Sequence, residues 1–229
     1  MAPRAHWKGH LRLSLVSVPV QLFSAIETEH DLHLHQIHKP SGQRVRHEKV
    51  VPGIGPVENE EIVLGYEHEP GRHVLLEPEE LSAATPASSE AIELEQFIAA
   101  DELDDIFVER PFFLVPADRI GGEGYAVLRA ALKATGRIGI GEMVLHRRER
   151  IVAVRPCGRG LMLETLRYAE ELREAQRVFA DIRDIAPDPA KLRLAMELIA
   201  QRSAPFEPRR FKDDYEAGLR ALIQAKLRG

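Results

Sequence analysis

Cysteine is almost missing from this chain. Cys157 stands alone among 229 residues, so no internal disulfide can form, and a single thiol fits a reducing compartment. No stretch approaches the roughly 18 consecutive apolar residues of a membrane span, and the opening MAPRAHWKGHLRL holds no apolar signal core. These absences predict a cytoplasmic protein with no membrane partner. An overall excess of positive charge is missing too: 31 Lys and Arg face 36 Asp and Glu, a formal net charge of −5. That balance excludes a protein that coats nucleic acid by bulk charge. It leaves room for a local basic surface, because binding follows the field at one face. Between His73 and Glu109 there is no Lys or Arg at all, while acids crowd the same stretch.

Catalytic signatures are also lacking. There is no G-x-x-x-x-G-K phosphate loop and no G-x-S-x-G elbow. The spaced glycines of IGIG (138–141) sit in a strand pattern and predict close packing in a sheet rather than a phosphate cradle. His33, His35 and His38 could ligate a metal, but carboxylates and cysteines at ligand spacing are wanting. A polar strand face is the favoured reading. Cys157, in PCGRG, has no partner base nearby in sequence. The expectation is no catalytic residue, no metal site and no cofactor.

The elements that are present are mainly strands. HLRLSLVSVPVQLFSAI (10–26) alternates with Leu11, Leu13 and Leu15 on one face. Pro19 predicts a bend or an end within that strand. LHLHQIH and QRVRHEKV flank KPSG, where Pro40 and Gly42 suit a type I turn; the pair predicts a β-hairpin or extended arm with Arg44 and Arg46 on one face. VPGIGPVE (51–58) reads as a loop, and residues 60–81 as two strands joined by EPGR, then a helix start. IELEQFI predicts a strand with Ile92, Leu94 and Gln96 on one face; FVERPFFLVP predicts another, with Pro111 at an edge or bulge. A helix over 123–136 carries the stripe Tyr125, Leu128, Leu132 and stops at Gly136. IGIGEMVLH, RIVAVRP and GLMLETLRY predict a meander whose turns are HRRER and CGRG. Helices follow over 188–203 and 211–227, the last with Phe211, Tyr215, Leu219 and Leu222 at helical spacing. The fold class is therefore mixed but mainly β: a barrel, one inserted helix and a helical tail.

Positive charge gathers in the hairpin (Lys39, Arg44, Arg46, Lys49) and in the turn HRRER (Arg147, Arg148, Arg150). Both are placed by the strand pattern at tips of strand pairs, where Arg and Lys can meet phosphate oxygens. Neither cluster interleaves aromatic residues, so stacking on single-stranded bases is not indicated. The implied contact is a nucleic-acid backbone, independent of sequence. On the residues alone, two other classes stay open: a metal-binding β-barrel enzyme using the histidines, and a double-stranded RNA-binding protein.

The composite stretches WKGHLRLSLVSVPV, LHQIHKPSGQRVRHEKV, IVLGYEHEPGRHVLLEPEEL, GRIGIGEMVLHRRERIVAVRPCGRGLMLETLRYAEE and FKDDYEAGLRALIQAKL resemble, in order, bacterial Ku, the DNA-end-binding protein of non-homologous end joining. The resemblance runs from residue 3 to the end of the chain. It implies a Ku-type β-barrel core over residues 1–187 with a ring-forming strand arm at about 30–60, and a C-terminal helical arm over 188–229. It further implies a homodimeric ring around double-stranded DNA ends, located on the nucleoid at breaks, with an ATP-dependent DNA ligase as partner and no catalysis by the chain itself. Lys39, Arg44, Arg46, Lys49, Arg147, Arg148 and Arg150 become the expected DNA contacts, and Phe211, Tyr215, Leu219 and Leu222 the expected dimer interface. Some relatives carry a Cys-x-x-Cys pair after the hairpin; here the stretch is VVPGIGPV, so no zinc is expected.

Overall fold

The computed structural model describes residues 4–27, 32–84 and 90–228. Residues 28–31, which include the start of the arm expected at about 30–60, and residues 85–89 lie outside the described residues. The chain divides into two compact units, residues 1–30 with 35–173, and residues 31–34 with 174–229.

The first unit is built on a closed barrel. Its opening strands are β1 (Trp7–Leu13) and β2 (Val16–Ser24). Three small ribbons follow: β3 (Ile37–His38) with β4 (Gln43–Arg44), β5 (Val50–Val51) with β6 (Gly55–Pro56), and β7 (Leu64–Glu69) with β8 (Arg72–Leu76). The short helix α1 (Pro78–Ala84) closes this excursion. Then come β9 (Ala91–Ala99), β10 (Val108–Pro116), α2 (Gly121–Thr135), β11 (Arg137–Leu145), β12 (Arg148–Cys157) and β13 (Gly160–Leu166). Around the barrel the order is β1-β2-β10-β13-β12-β11-β9, and the parallel pairing of Leu11 with Ile92 closes it. The expected meander is present as β11-β12-β13. Alternate residues fill the interior; Leu11, Val20, Leu22, Leu114, Val154 and Leu163 are almost wholly excluded from solvent. Helix α2 plugs one end with Tyr125, Leu128 and Leu132 buried, and stops at Gly136, whose φ of 63° is the left-handed cap that glycine adopts without penalty.

Several local expectations change. Residues 10–26 form two strands, not one, because Ser14 and Leu15 make a two-residue turn; Ser14 takes a φ of 53°, and Leu15, expected to share a face with Leu11 and Leu13, is 100% exposed at the tip. Pro19 neither bends nor ends its strand. It sits where the β2–β10 ladder runs out: its carbonyl accepts from Ala117 N at 2.9 Å, and its missing N–H falls on the side with no further strand residue to meet. Pro111 plays the same part at the other end of that ladder, beside a bulge between Val108 and Arg110. Gln96 does not share a face with Ile92 and Leu94. Glu95 is an extra residue opposite the Ile140–Gly141 step, and the bulge turns Gln96 outward and lets Ile98 join a second cluster on the outer face with Ile138, Ala153 and Leu166. The glycines of IGIG serve this close approach. A Cβ on Gly141 would run into the backbone oxygen of Glu93.

The second unit carries α3 (Ala175–Val178), α4 (Pro189–Arg202) and α5 (Asp214–Arg228). Asp188 caps α4 by accepting from Ala190 N and Lys191 N, with Pro189 at the first helical position. Helix α5 starts later than its hydrophobic spacing suggests. The Asp213 carboxylate accepts from Glu216 N and sets the start, which leaves Phe211 upstream, where its ring lies 5.7 Å from that of Phe206. Among the described residues no helix is long and apolar enough to cross a membrane.

Candidate nucleic-acid interface

The basic hairpin is shorter than its alternation suggests. β3 and β4 are two residues each, joined by the four-residue loop Lys39–Gly42; Gly42 N donates to His38 O at 2.8 Å and takes a φ of 69°. One further bond, Val45 N to Gln36 O at 2.9 Å, holds the returning chain, which is otherwise extended and exposed. Arg46 therefore lies beyond the ladder, and the pleat no longer fixes its face. The segment still curls so that Arg44 and Arg46 line one open concavity with Gln43, Val45 and His47. Lys39, Arg44 and Arg46 make no side-chain hydrogen bond or ion pair among the described residues. Lys49 is engaged: its Nζ donates to Asn59 Oδ1 at 2.9 Å, tying the base of a second tight turn formed by β5 and β6, where a loop was expected.

The second basic cluster is not a single tip. The turn consists of His146 and Arg147 alone, with φ of 54° and 65°. Positive φ at both central positions is the type I′ geometry that Asn-Gly normally supplies, and left-handed backbone costs a side-chain-bearing residue roughly 1–2 kcal/mol. Across this turn the side chains part. His146 faces the open end of the barrel, while Arg147 borders a groove with Leu64, Leu76 and Leu81 at the root of the β7–β8 ribbon. Arg148 and Arg150 belong to strand β12, not to the turn. They alternate in step with Val152 and Val154, so they point to the barrel's inner side at its open end. Arg150 is 3.4 Å from Glu109, which also accepts from Thr165 Oγ1 at 3.2 Å.

The hairpin cations and the β12 arginines line separate concavities. Sequence reasoning missed Arg110 and Glu109, which β10 brings beside Arg148 and Arg150; only the cross-barrel register could have found them, through the pairing of Arg110 with Thr165. On the helical unit Phe211, Tyr215 and Leu222 are largely exposed and Leu219 half-buried. Tyr215, Leu219 and Leu222 share one face of α5. Cys157 is a free, half-buried thiol. Among the described residues no three His, Cys, Asp or Glu side chains group as metal ligands.

Residues 12–194 match the family model for the Ku70/Ku80 beta-barrel domain. The chain belongs to the Ku family. A Ku relative from Acidobacterium capsulatum, named non-homologous end joining protein Ku, is 45% identical over 98% of this chain and 75% of its own length. One of the same name from Methylocella silvestris is 39% identical over 99% of this chain and 84% of its own length. A third, from Bradyrhizobium, is 36% identical over 100% of this chain and 79% of its own length. The barrel order, the inserted helix α2 and the ribbon excursion described above are thus how this Ku chain meets the fold.

Proposed function

We propose that this chain binds ends of double-stranded DNA without reading sequence, as a homodimer closed into a ring, and that it acts in non-homologous end joining by bringing an ATP-dependent DNA ligase to the break. Membership of the Ku family, with relatives named for that process, carries the reading. The local counterpart is the arm: Lys39, Arg44 and Arg46 stand exposed and unpaired among the described residues, and such cations gain most by displacing counterions from a phosphate backbone. Arg147 is the matching contact from the barrel, and no catalytic step is assigned to the chain.

The helical unit supports the dimer. From Glu174 to Arg228 no residue is buried, yet Phe211, Tyr215 and Leu222 are among many exposed apolar side chains there. Helices with apolar faces and no core of their own need a covering surface, and a second copy supplies one.

A closed ring cannot load onto DNA without ends. A mobility shift should therefore show linear duplex bound and a covalently closed circle of equal length unbound. Equal binding to both sinks the ring. Light scattering of a chain truncated before residue 205 should show a monomer; a folded dimer counts against the helical arm.

A further inference from the structure

At the open end of the barrel, away from α2, lies a pocket of about 420 Å³. Phe112 and Leu145 form an apolar floor, and Arg110, Arg148 and Arg150 stand above it. Glu109 is the one carboxylate among the described lining residues, and it is already engaged with Arg150 and Thr165. Arg110 lies 5.4 Å from the centre of the Phe112 ring, which orients its guanidinium without neutralising it. Arg110 and Arg148 make no ion pair among the described residues. The acids Glu142 and Glu149 belong to the other side of the sheet: Glu142 pairs with Ile151, which packs in the outer cluster, and both act on Tyr168.

Among the described residues, three guanidinium groups against one carboxylate leave two positive charges unmatched in this concavity. A phosphodiester in a DNA strand carries a single negative charge. A phosphate monoester carries about −1.5 to −2 at neutral pH and offers three acceptor oxygens to planar, two-pronged donors. The charge balance selects the monoester. We propose that the barrel mouth is a phosphate-monoester site built by Arg110, Arg148 and Arg150, with Glu109 as the group that positions Arg150. The phosphate can come from the 5′ terminus of a DNA end or from a free nucleotide; the first source rests on the end-binding reading above, the second does not.

Two titrations of the full chain separate these cases. In the first, the arginine Nε–Hε signals are followed by nuclear magnetic resonance as adenosine monophosphate or adenosine is added. The monophosphate should shift the signals of Arg148 and Arg150, and adenosine should not. In the second, linear duplexes of one sequence carrying 5′-phosphate or 5′-hydroxyl ends compete for the protein. The phosphorylated duplex should bind three- to tenfold better, and R110Q, at an exposed position, should erase that preference while leaving the 5′-hydroxyl affinity unchanged. E109Q keeps an acceptor oxygen for Arg150 and Thr165 while removing the competing charge, so it should strengthen the response to monophosphate; a weaker response would overturn the charge balance on which the site rests. A response to the monophosphate with equal duplex affinities assigns the site to free nucleotides. No response in either titration overturns the proposal. Binding of neither duplex, with the monophosphate response intact, condemns the end-binding reading and leaves the pocket standing.

Discussion

The hydroxyl of Tyr125 links two strands through the inserted helix: it donates to Leu114 O at 2.5 Å and accepts from Leu161 N at 2.7 Å. Both partners are backbone groups at the plugged end of the barrel, where water cannot replace the hydroxyl. Burial is the main cause that pushes the phenol pKa up, partly offset by the bond from Leu161. Y125F should cost about 1–3 kcal/mol for each orphaned group, measured by urea unfolding. The sign with pH follows. The unfolded phenol loses its proton first, so the stability held by Tyr125 is complete below the unfolded pKa and is lost as pH rises toward the higher folded value. Y125F should therefore flatten the alkaline limb of the stability profile.

Gly141 and Gly136 separate two kinds of glycine requirement. At Gly141 a Cβ collides with the bulged backbone at Glu93, so G141A should destabilise by about 1–3 kcal/mol or more, as overpacking does. At Gly136 space is open and only the left-handed backbone is at stake. G136A should cost about 1 kcal/mol. If urea midpoints show equal losses, the close approach of β9 and β11 is not a constraint.

Arg155 and Glu164 form a pair across β12 and β13 at 2.6 Å, with the Glu164 side chain 5% exposed. Glu164 Oε2 and Arg155 Nε are buried without a hydrogen-bond partner among the described residues. Removing Arg155 alone strands a buried charge, so R155M should cost about 3–5 kcal/mol. The double variant R155M/E164L should recover most of that loss in the same unfolding experiment.

His146 and Arg147 hold a turn that two other residues would hold more easily. H146N/R147G should raise the unfolding midpoint, because Asn-Gly fits the type I′ turn. The same change removes Arg147 and should weaken binding to linear duplex. Gain in stability with loss of binding is the expected trade.

In the arm, R44A/R46A should weaken binding to all duplex sequences alike and lower the magnitude of the slope of log affinity against log salt by about four per ring, roughly one for each phosphate left without its arginine in the two copies. A loss confined to some sequences would reveal base readout. K49A should add local loosening of the second turn, because that ammonium already bonds Asn59.

The barrel strands were legible because alternation is a local signal: β11, β12, β13 and the stripe of α2 followed their hydrophobic periods. What escaped was set by pairing. Glu95 bulges at the Ile140–Gly141 step, where Gly141 lets β9 approach closely, and Pro19 and Pro111 are tolerated because neighbouring strands stop there. Neither fact is visible within one strand. The basic clusters were found as charge, but a two-residue turn at His146 rather than a five-residue one moved Arg148 and Arg150 from an expected tip into the barrel mouth.

The barrel closes through strands far apart in the chain, β1 beside β9 and β2 beside β10, while the described residues between Ser24 and Ala91 contribute no strand to it. For the barrel that excursion is a loop, and doubling a loop's length adds only about 0.6 kcal/mol to the entropy of closing it. The part of the molecule that carries the hairpin cations can thus lengthen, shorten or change its residues at little cost to the core, so its reach and charge are free to vary while the seven strands stay the same.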